Sequence, residues 1–113
     1  KALTLDRQSF SAAVDRVSTI SSERGRAVKL AVSDGQLVLT VNSPDAGTAT
    51  EELPVGYEAE EIEIGFNARY LLDITGQLSG DSAVFMMADP GSPTLIRDGG
   101  DEGTLYVLMP MRV

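Results

Sequence analysis

Glu61-Ile62-Glu63-Ile64-Gly65-Phe66-Asn67, followed by Leu71, Ile74 and Leu78, decides how this chain folds. Residues 61–66 alternate polar and apolar with period two, the pattern of a strand with one buried face. Asn67 is a residue type that caps helices, because its side chain accepts hydrogen bonds from the first free backbone N–H groups. Beyond it the apolar positions fall at helical spacing to about Leu78. Gly76 weakens that end by up to ~1 kcal/mol relative to Ala. The piece therefore reads as a strand running straight into a helix. About sixty residues earlier the same event occurs. Leu3-Thr4-Leu5-Asp6 leads into a stretch with Phe10, Ala13, Val14, Val17 and Ile20 on one face, capped by Asp6 and running to about Ile20.

Working outward, each strand–helix pair is followed by three strand-like runs. Behind the first, residues 27–32 read as a strand, Asp34-Gly35 as a two-residue hairpin turn, and residues 36–41 as the returning strand. Ser43-Pro44-Asp45-Ala46-Gly47 is a turn, and the Glu-rich run 48–55, carrying Pro54, reads as an edge strand. Behind the second, residues 82–88 form a strand, Asp89-Pro90-Gly91-Ser92-Pro93 a turn and residues 94–97 a short strand. Residues 98–103 read as a flexible hairpin loop and residues 104–109 as the final strand. The expectation is one α+β domain over residues 1–113. It contains a pseudo-two-fold duplicated β-α-β-β-β unit, roughly residues 1–56 and 57–113, with two helices on one face of antiparallel sheets.

Composition bounds the function. At 113 residues with 42% apolar content, the chain can bury a single core. Three Phe, three Tyr and no Trp leave that core mostly to aliphatic side chains. No apolar run approaches the length of a membrane span, and nothing reads as a signal peptide. The first residue is Lys1 rather than Met, so a fragment or processed product is expected. Without cysteine there is neither disulfide nor thiolate metal site, which fits a reducing cytoplasm. Without histidine as well, the usual general base and the thiol nucleophile are both missing. Residues 98–103 are rich in Asp and Gly but lack the twelve-residue spacing of a calcium hand. No cofactor, metal or catalytic residue is expected. A carboxylate-based hydrolase would need a deep acidic pocket with a raised carboxyl pKa.

The net charge of −8 is unevenly spread. Six of the nine cations lie within the first thirty residues, while the acids gather at Glu51-Glu52 and over residues 58–63. The spread reads either as a basic side and an acidic side or as a solubilising surface of uneven charge. The carboxyl end is apolar: Val107-Leu108-Met109-Pro110-Met111-Arg112-Val113. Methionine suits a surface that accepts several different side chains. Pro110 cannot continue a strand ladder: either it stops a final strand packed in the core, or it leaves the tail to wall a groove, to which Tyr70 on the first turn of the second helix adds a ring.

Two segments carry a resemblance to a known family. Gly65-Phe66-Asn67-Ala68-Arg69-Tyr70-Leu71-Leu72-Asp73 and the terminal Tyr106-Val107-Leu108-Met109-Pro110-Met111-Arg112-Val113 closely resemble the C-terminal third of the bacterial DNA polymerase III beta subunit, the sliding clamp. Ser22-Glu23-Arg24-Gly25-Arg26-Ala27-Val28-Lys29-Leu30 is similar to that family's loop and following strand. The similarity extends over essentially the whole chain. It implies a DNA-clamp domain, the third of three in a cytoplasmic bacterial protein. Two protomers close head to tail into a ring around double-stranded DNA, as a homodimer. The ring is non-catalytic and needs no cofactor. It tethers DNA polymerase, clamp-loader subunits and repair factors through short linear peptides.

Carried over by position, the resemblance implies a peptide pocket walled by Asn67, Tyr70, Val107, Leu108, Met109, Pro110, Met111 and Arg112. The turn Gly91-Ser92-Pro93 lies beside it. Thr19 and Ile20 fall at the family's apolar dimer contacts, and Glu51 and Glu52 are expected as charged members pairing with basic residues opposite. Arg7, Arg16, Arg24 and Arg69 are expected to face DNA phosphates, giving contacts that are non-specific and salt-sensitive. The rival reading is a free-standing pseudo-symmetric interaction domain with no DNA role; the length of the parent chain separates the two.

Overall fold

The computed structural model describes residues 1–19, 27–43 and 47–111, apart from the side chains of residues 101, 102 and 104. Ile20 and Arg24 of the sequence expectations, and Arg112 at the carboxyl end, lie outside the described residues.

Strand β1 (Ala2–Asp6) runs directly into helix α1 (Arg7–Ser18), and strands β2 (Ala27–Ser33), β3 (Gln36–Ser43) and β4 (Gly47–Pro54) follow. The second half repeats the order with β5 (Ile62–Asn67), α2 (Ala68–Gln77), β6 (Ser82–Met86), β7 (Thr94–Asp98) and β8 (Asp101–Leu108). The two helix starts share one geometry. Asp6 (φ −74°, ψ 121°) accepts from the Ser9 N–H, and Asn67 (φ −69°, ψ 121°) accepts from the Arg69 and Tyr70 N–H groups. A short polar side chain in an extended conformation satisfies donors that no helical carbonyl reaches.

The fold is α+β, as the sequence predicts, but the halves are not separate sheets. The strand orders are β1-β6-β7-β8 and β4-β3-β2-β5, all antiparallel pairs. Each half thus lends its first strand to the other half's hairpins. Periodicity fixes which face of a strand is buried and is silent on which neighbour it pairs with, so this exchange was not legible in advance. β4 is an edge strand, as its glutamates and Pro54 suggested.

One core joins the halves. Phe10 of α1, Phe66 of β5 and Phe85 of β6 are fully buried, with ring centroids 5.4 Å (Phe10–Phe85) and 6.4 Å (Phe66–Phe85) apart in edge-to-face geometry. Aliphatic residues fill the remainder, among them Leu3, Leu30, Leu39, Ile64, Leu71 and Ile96. The two helices touch each other, and α1 also packs on β3 and β4. Gly35 at φ 74° makes the β2–β3 turn, a backbone conformation that costs glycine nothing.

The expected flexible loop at residues 98–103 is instead a tight turn, with β8 already begun at Asp101. The reason is Asp98. Its carboxylate, only 2% exposed, accepts from the Gly100 N–H at 2.9 Å, the Ser79 N–H at 2.9 Å, the Gly80 N–H at 3.1 Å and the Ser79 hydroxyl at 3.2 Å. A Cβ at Gly80 would overlap that carboxylate, so the loop after α2 must carry glycine there. These donors, led by the Gly100 and Ser79 N–H groups, hold the carboxyl pKa at about 2 against an ordinary 3.8, while burial opposes them.

Candidate functional site

Helix α2 and strand β8 meet at the carboxyl end of the sheet in a mostly apolar cleft of about 410 Å³. Tyr70, Asp73 and Ile74 come from α2, and Tyr106, Val107, Leu108 and Met109 from β8 and the residue after it. Strand alternation explains the arrangement. Leu108 points into the core at 5% exposure, whereas Val107 and Met109 stand out at 61% and 60%. Tyr70 is 53% exposed beside them. Large apolar side chains left this open on a small domain mark a surface built for contact. Asn67 braces the cleft from behind, since its capping bonds fix the first turn of α2 and hence the Tyr70 ring. The Tyr106 hydroxyl donates to Gln77 Oε1 at 2.9 Å and ties β8 to the other end of the same helix.

Asp73, Ile74 and Tyr106 belong to the cleft and were missed from sequence. A signal was present: Asp73 and Ile74 lie three and four residues beyond Tyr70, on the same helix face.

The structure divides the remaining predicted pocket residues. Pro110 and Met111 line a second, larger concavity of about 660 Å³, together with Gly91, Lys29 and Asn42. Ser92 and Pro93 line neither. The Asp89 carboxylate accepts from the Ser92 hydroxyl and the Gly91 N–H, so this turn satisfies its own polar groups and is held compact. The tail is also less free than Pro110 suggested. The Met111 N–H donates to the Gly65 carbonyl at 2.7 Å and pins the chain onto β5. The Met109-Pro110-Met111 stretch therefore forms a ridge between an apolar cleft and a more polar trough.

Arg7, expected toward DNA, is half-buried. Its Nε donates to the Gly80 carbonyl at 2.6 Å and an Nη to the Thr75 carbonyl at 3.3 Å. Thr75 and Gly80 lie where α2 ends and its carbonyls lack helical partners, so a guanidinium there acts as a strut between helices. Arg16 is exposed but engaged: its Nε and Nη2 each donate to Glu51 at 2.8 Å, in a two-pronged fork. That bond holds the Glu51 carboxyl below its usual range and raises Arg16. The expected partner for Glu51 was a residue opposite; it lies in the same chain, because α1 packs on β4. Arg69 is exposed, with no ion pair among the described residues. Glu52 is exposed on the β4 edge, and Thr19 is exposed at the end of α1 with its hydroxyl donating to the Arg16 carbonyl.

Among the described residues no group of three or more carboxylates is placed to hold a metal ion. No described helix is long and apolar enough to cross a membrane.

Comparison with known proteins adds an independent line. Residues 1–112 match the family model described as DNA polymerase III beta subunit, C-terminal domain. The beta sliding clamp of Caulobacter vibrioides strain NA1000 / CB15N is 58% identical over 113 residues, covering all of this chain and 30% of that protein. A crystal structure of the sliding clamp from Bartonella birtlesii LL-WM9 superposes with a TM-score of 0.96 at 60% identity, covering 99% of this chain and 32% of that one. A Bartonella birtlesii clamp bound to griselimycin gives a TM-score of 0.95 at 60% identity, covering 99% of this chain and 30% of that one. The chain therefore spans about 30% of the length of the curated relatives it matches.

Proposed function

Because the chain belongs to the family of the C-terminal domain of the DNA polymerase III beta subunit, we propose that it serves as part of a processivity factor. In this reading it is one domain of a ring that encircles duplex DNA and tethers polymerases and repair factors. The ring is non-catalytic, homodimeric and cytoplasmic. The observation that carries the reading is the cleft where Tyr70, Val107 and Met109 stand more than half exposed. Such a cleft takes the large apolar side chains of a short peptide and excludes water from around them. The β4 edge, with unpaired backbone groups and Glu52 exposed, supports a strand-to-strand joint with a second protomer.

The DNA-facing role rests on Arg69 and Arg16, with Arg24 outside the described residues; Arg7 is left to its structural task. On the exposed helix surfaces Arg16 stands next to Asp15 and Arg69 one turn from Asp73. The local charge is therefore nearly balanced, which suits loose, sliding contact better than tight binding.

Griselimycin, bound in the relative's crystal, is the probe that tests the pocket. Titrated into the full ring it should bind, and removal of residues from Met109 onward should abolish binding. Unchanged affinity in the truncated chain would place the pocket elsewhere.

A further inference from the structure

The four methionines of the chain differ sharply in what an oxidant in solution can reach. Met87 is sealed in the core at 2% exposure, and Met86 is half-buried on β6. Met111 is 37% exposed on the trough side of the carboxyl-terminal ridge. Met109 is 60% exposed and lines the α2–β8 cleft. The chain has no cysteine, so no thiol in it competes for an oxidant. The most open sulfur in the described domain is therefore a thioether set in the wall of the apolar cleft.

That position makes its chemical state consequential. A neutral thioether is soft and apolar and suits contact with the side chains of a bound peptide. Oxidation converts it to a polar, chiral sulfoxide. The new S=O oxygen is hydrated while the cleft is empty. An apolar side chain entering the cleft strips that water and supplies no donor in return, and a polar group buried without a partner is costly. The nearby Tyr106 hydroxyl cannot compensate while it donates to Gln77 Oε1. Because the outer part of Met109 is uncovered, its oxidation acts on binding and spares the packed core. Met87, inside that core, would show the opposite balance.

We propose that Met109 is a modification site: oxidation of its thioether by a peroxide closes the cleft to apolar peptide side chains, and reduction of the sulfoxide reopens it. The proposal rests on the reading of this cleft as the peptide pocket. In the forward step the sulfur attacks one peroxide oxygen and the O–O bond breaks. The sulfur gives up two electrons and keeps that oxygen, whose proton passes to the departing hydroxide, which leaves as water. In the reverse step a reductase oxidises a dithiol to a disulfide, and the oxygen leaves as water.

The test treats the full ring with hydrogen peroxide and removes the excess with catalase. Griselimycin affinity, melting temperature and the oxidation of each methionine by peptide mass mapping are followed over one time course. Wild type should lose affinity at least tenfold, in step with sulfoxide at Met109 and ahead of any at Met87, while its melting temperature holds. Methionine sulfoxide reductases for both epimers, supplied with dithiothreitol, should restore the affinity. Each variant is compared with its own untreated protein: Met109→Leu should ignore peroxide, and Met111→Leu should lose affinity as wild type does. Affinity retained with Met109 fully converted would overturn the proposal. So would a loss that tracks another methionine, persists in Met109→Leu or resists the reductases. Should Met109→Leu bind too weakly to titrate, the wild-type time course and its reversal decide the matter. An untreated ring that does not bind griselimycin would overturn the pocket reading and this proposal with it, whereas binding that is indifferent to Met109 sulfoxide overturns this proposal alone.

Discussion

Helix α2 and strand β8 meet twice, once at each end, and the two junctions treat their side chains in opposite ways. Where α2 ends and β8 begins, Arg7 fills the carbonyls of Thr75 and Gly80, and Asp98 collects the N–H groups of Ser79, Gly80 and Gly100. Each of those carbonyls and N–H groups has a partner, and the carboxylate is almost wholly buried. Where α2 begins and β8 ends, Tyr70, Val107 and Met109 stand open with large apolar area uncovered. A saturated polar cluster has nothing left to offer a ligand and acts as architecture. An open apolar cleft contributes nothing to folding at its exposed atoms and is available for binding. One pair of elements thus carries a fixed end and a receptive end.

The comparison is broken most forcefully at Asp98. Replacing it with Asn removes the charge that four donors converge on, and the melting temperature should fall by roughly 10 °C or more at neutral pH. The pH dependence has a definite sign. The folded-state pKa is depressed, to about 2 from an ordinary 3.8. The stabilisation is therefore complete above about pH 4 and is lost as pH falls toward 2. Melting curves of wild type and Asp98→Asn should converge across that window; a constant difference from pH 7 to pH 2 would refute the ionised knot.

Asn67 sits on the receptive end but does structural work, so Asn67→Ala blurs the contrast. Loss of the cap should cost about 1 kcal/mol of stability, measurable by denaturant titration. It should also loosen the Tyr70 ring and weaken peptide affinity severalfold. Stability lost without any change in affinity would show that the cap does not set the ring. The smallest effect belongs to Arg16→Gln. Its fork to Glu51 is exposed, and such pairs contribute little to folding. Its melting temperature should stay within about 2 °C of wild type.

Much of this was legible beforehand. Strand alternation at residues 61–66, the capping residues Asp6 and Asn67, and the helical spacing of the apolar residues gave the element order and most of the core. Tyr70, Val107 and Met109 could be placed on one apolar cleft because two segments resembled a known family. What escaped the sequence has a common physical cause: it depends on partners distant along the chain. The exchange of β1 and β5 between halves is a matter of pairing, which periodicity does not encode. Arg7 looked like a surface cation because nothing near residue 7 announces that the carbonyls at residues 75 and 80 will be waiting for it. Asp98 sits in a Gly-rich run that reads as flexible until Ser79 and Gly80 arrive to order it. Glu51 could be assigned to an edge strand, but its pairing with Arg16 follows only once α1 is laid across β4.

The most direct measurement is a crossed one: griselimycin affinity and melting temperature on the Tyr70→Ala/Met109→Ala and Asp98→Asn proteins. The first variant should lose at least a hundredfold in affinity and keep its melting temperature within a few degrees. The second, held below its lowered melting temperature, should retain affinity. Wild-type affinity in the Tyr70→Ala/Met109→Ala protein would contradict the account.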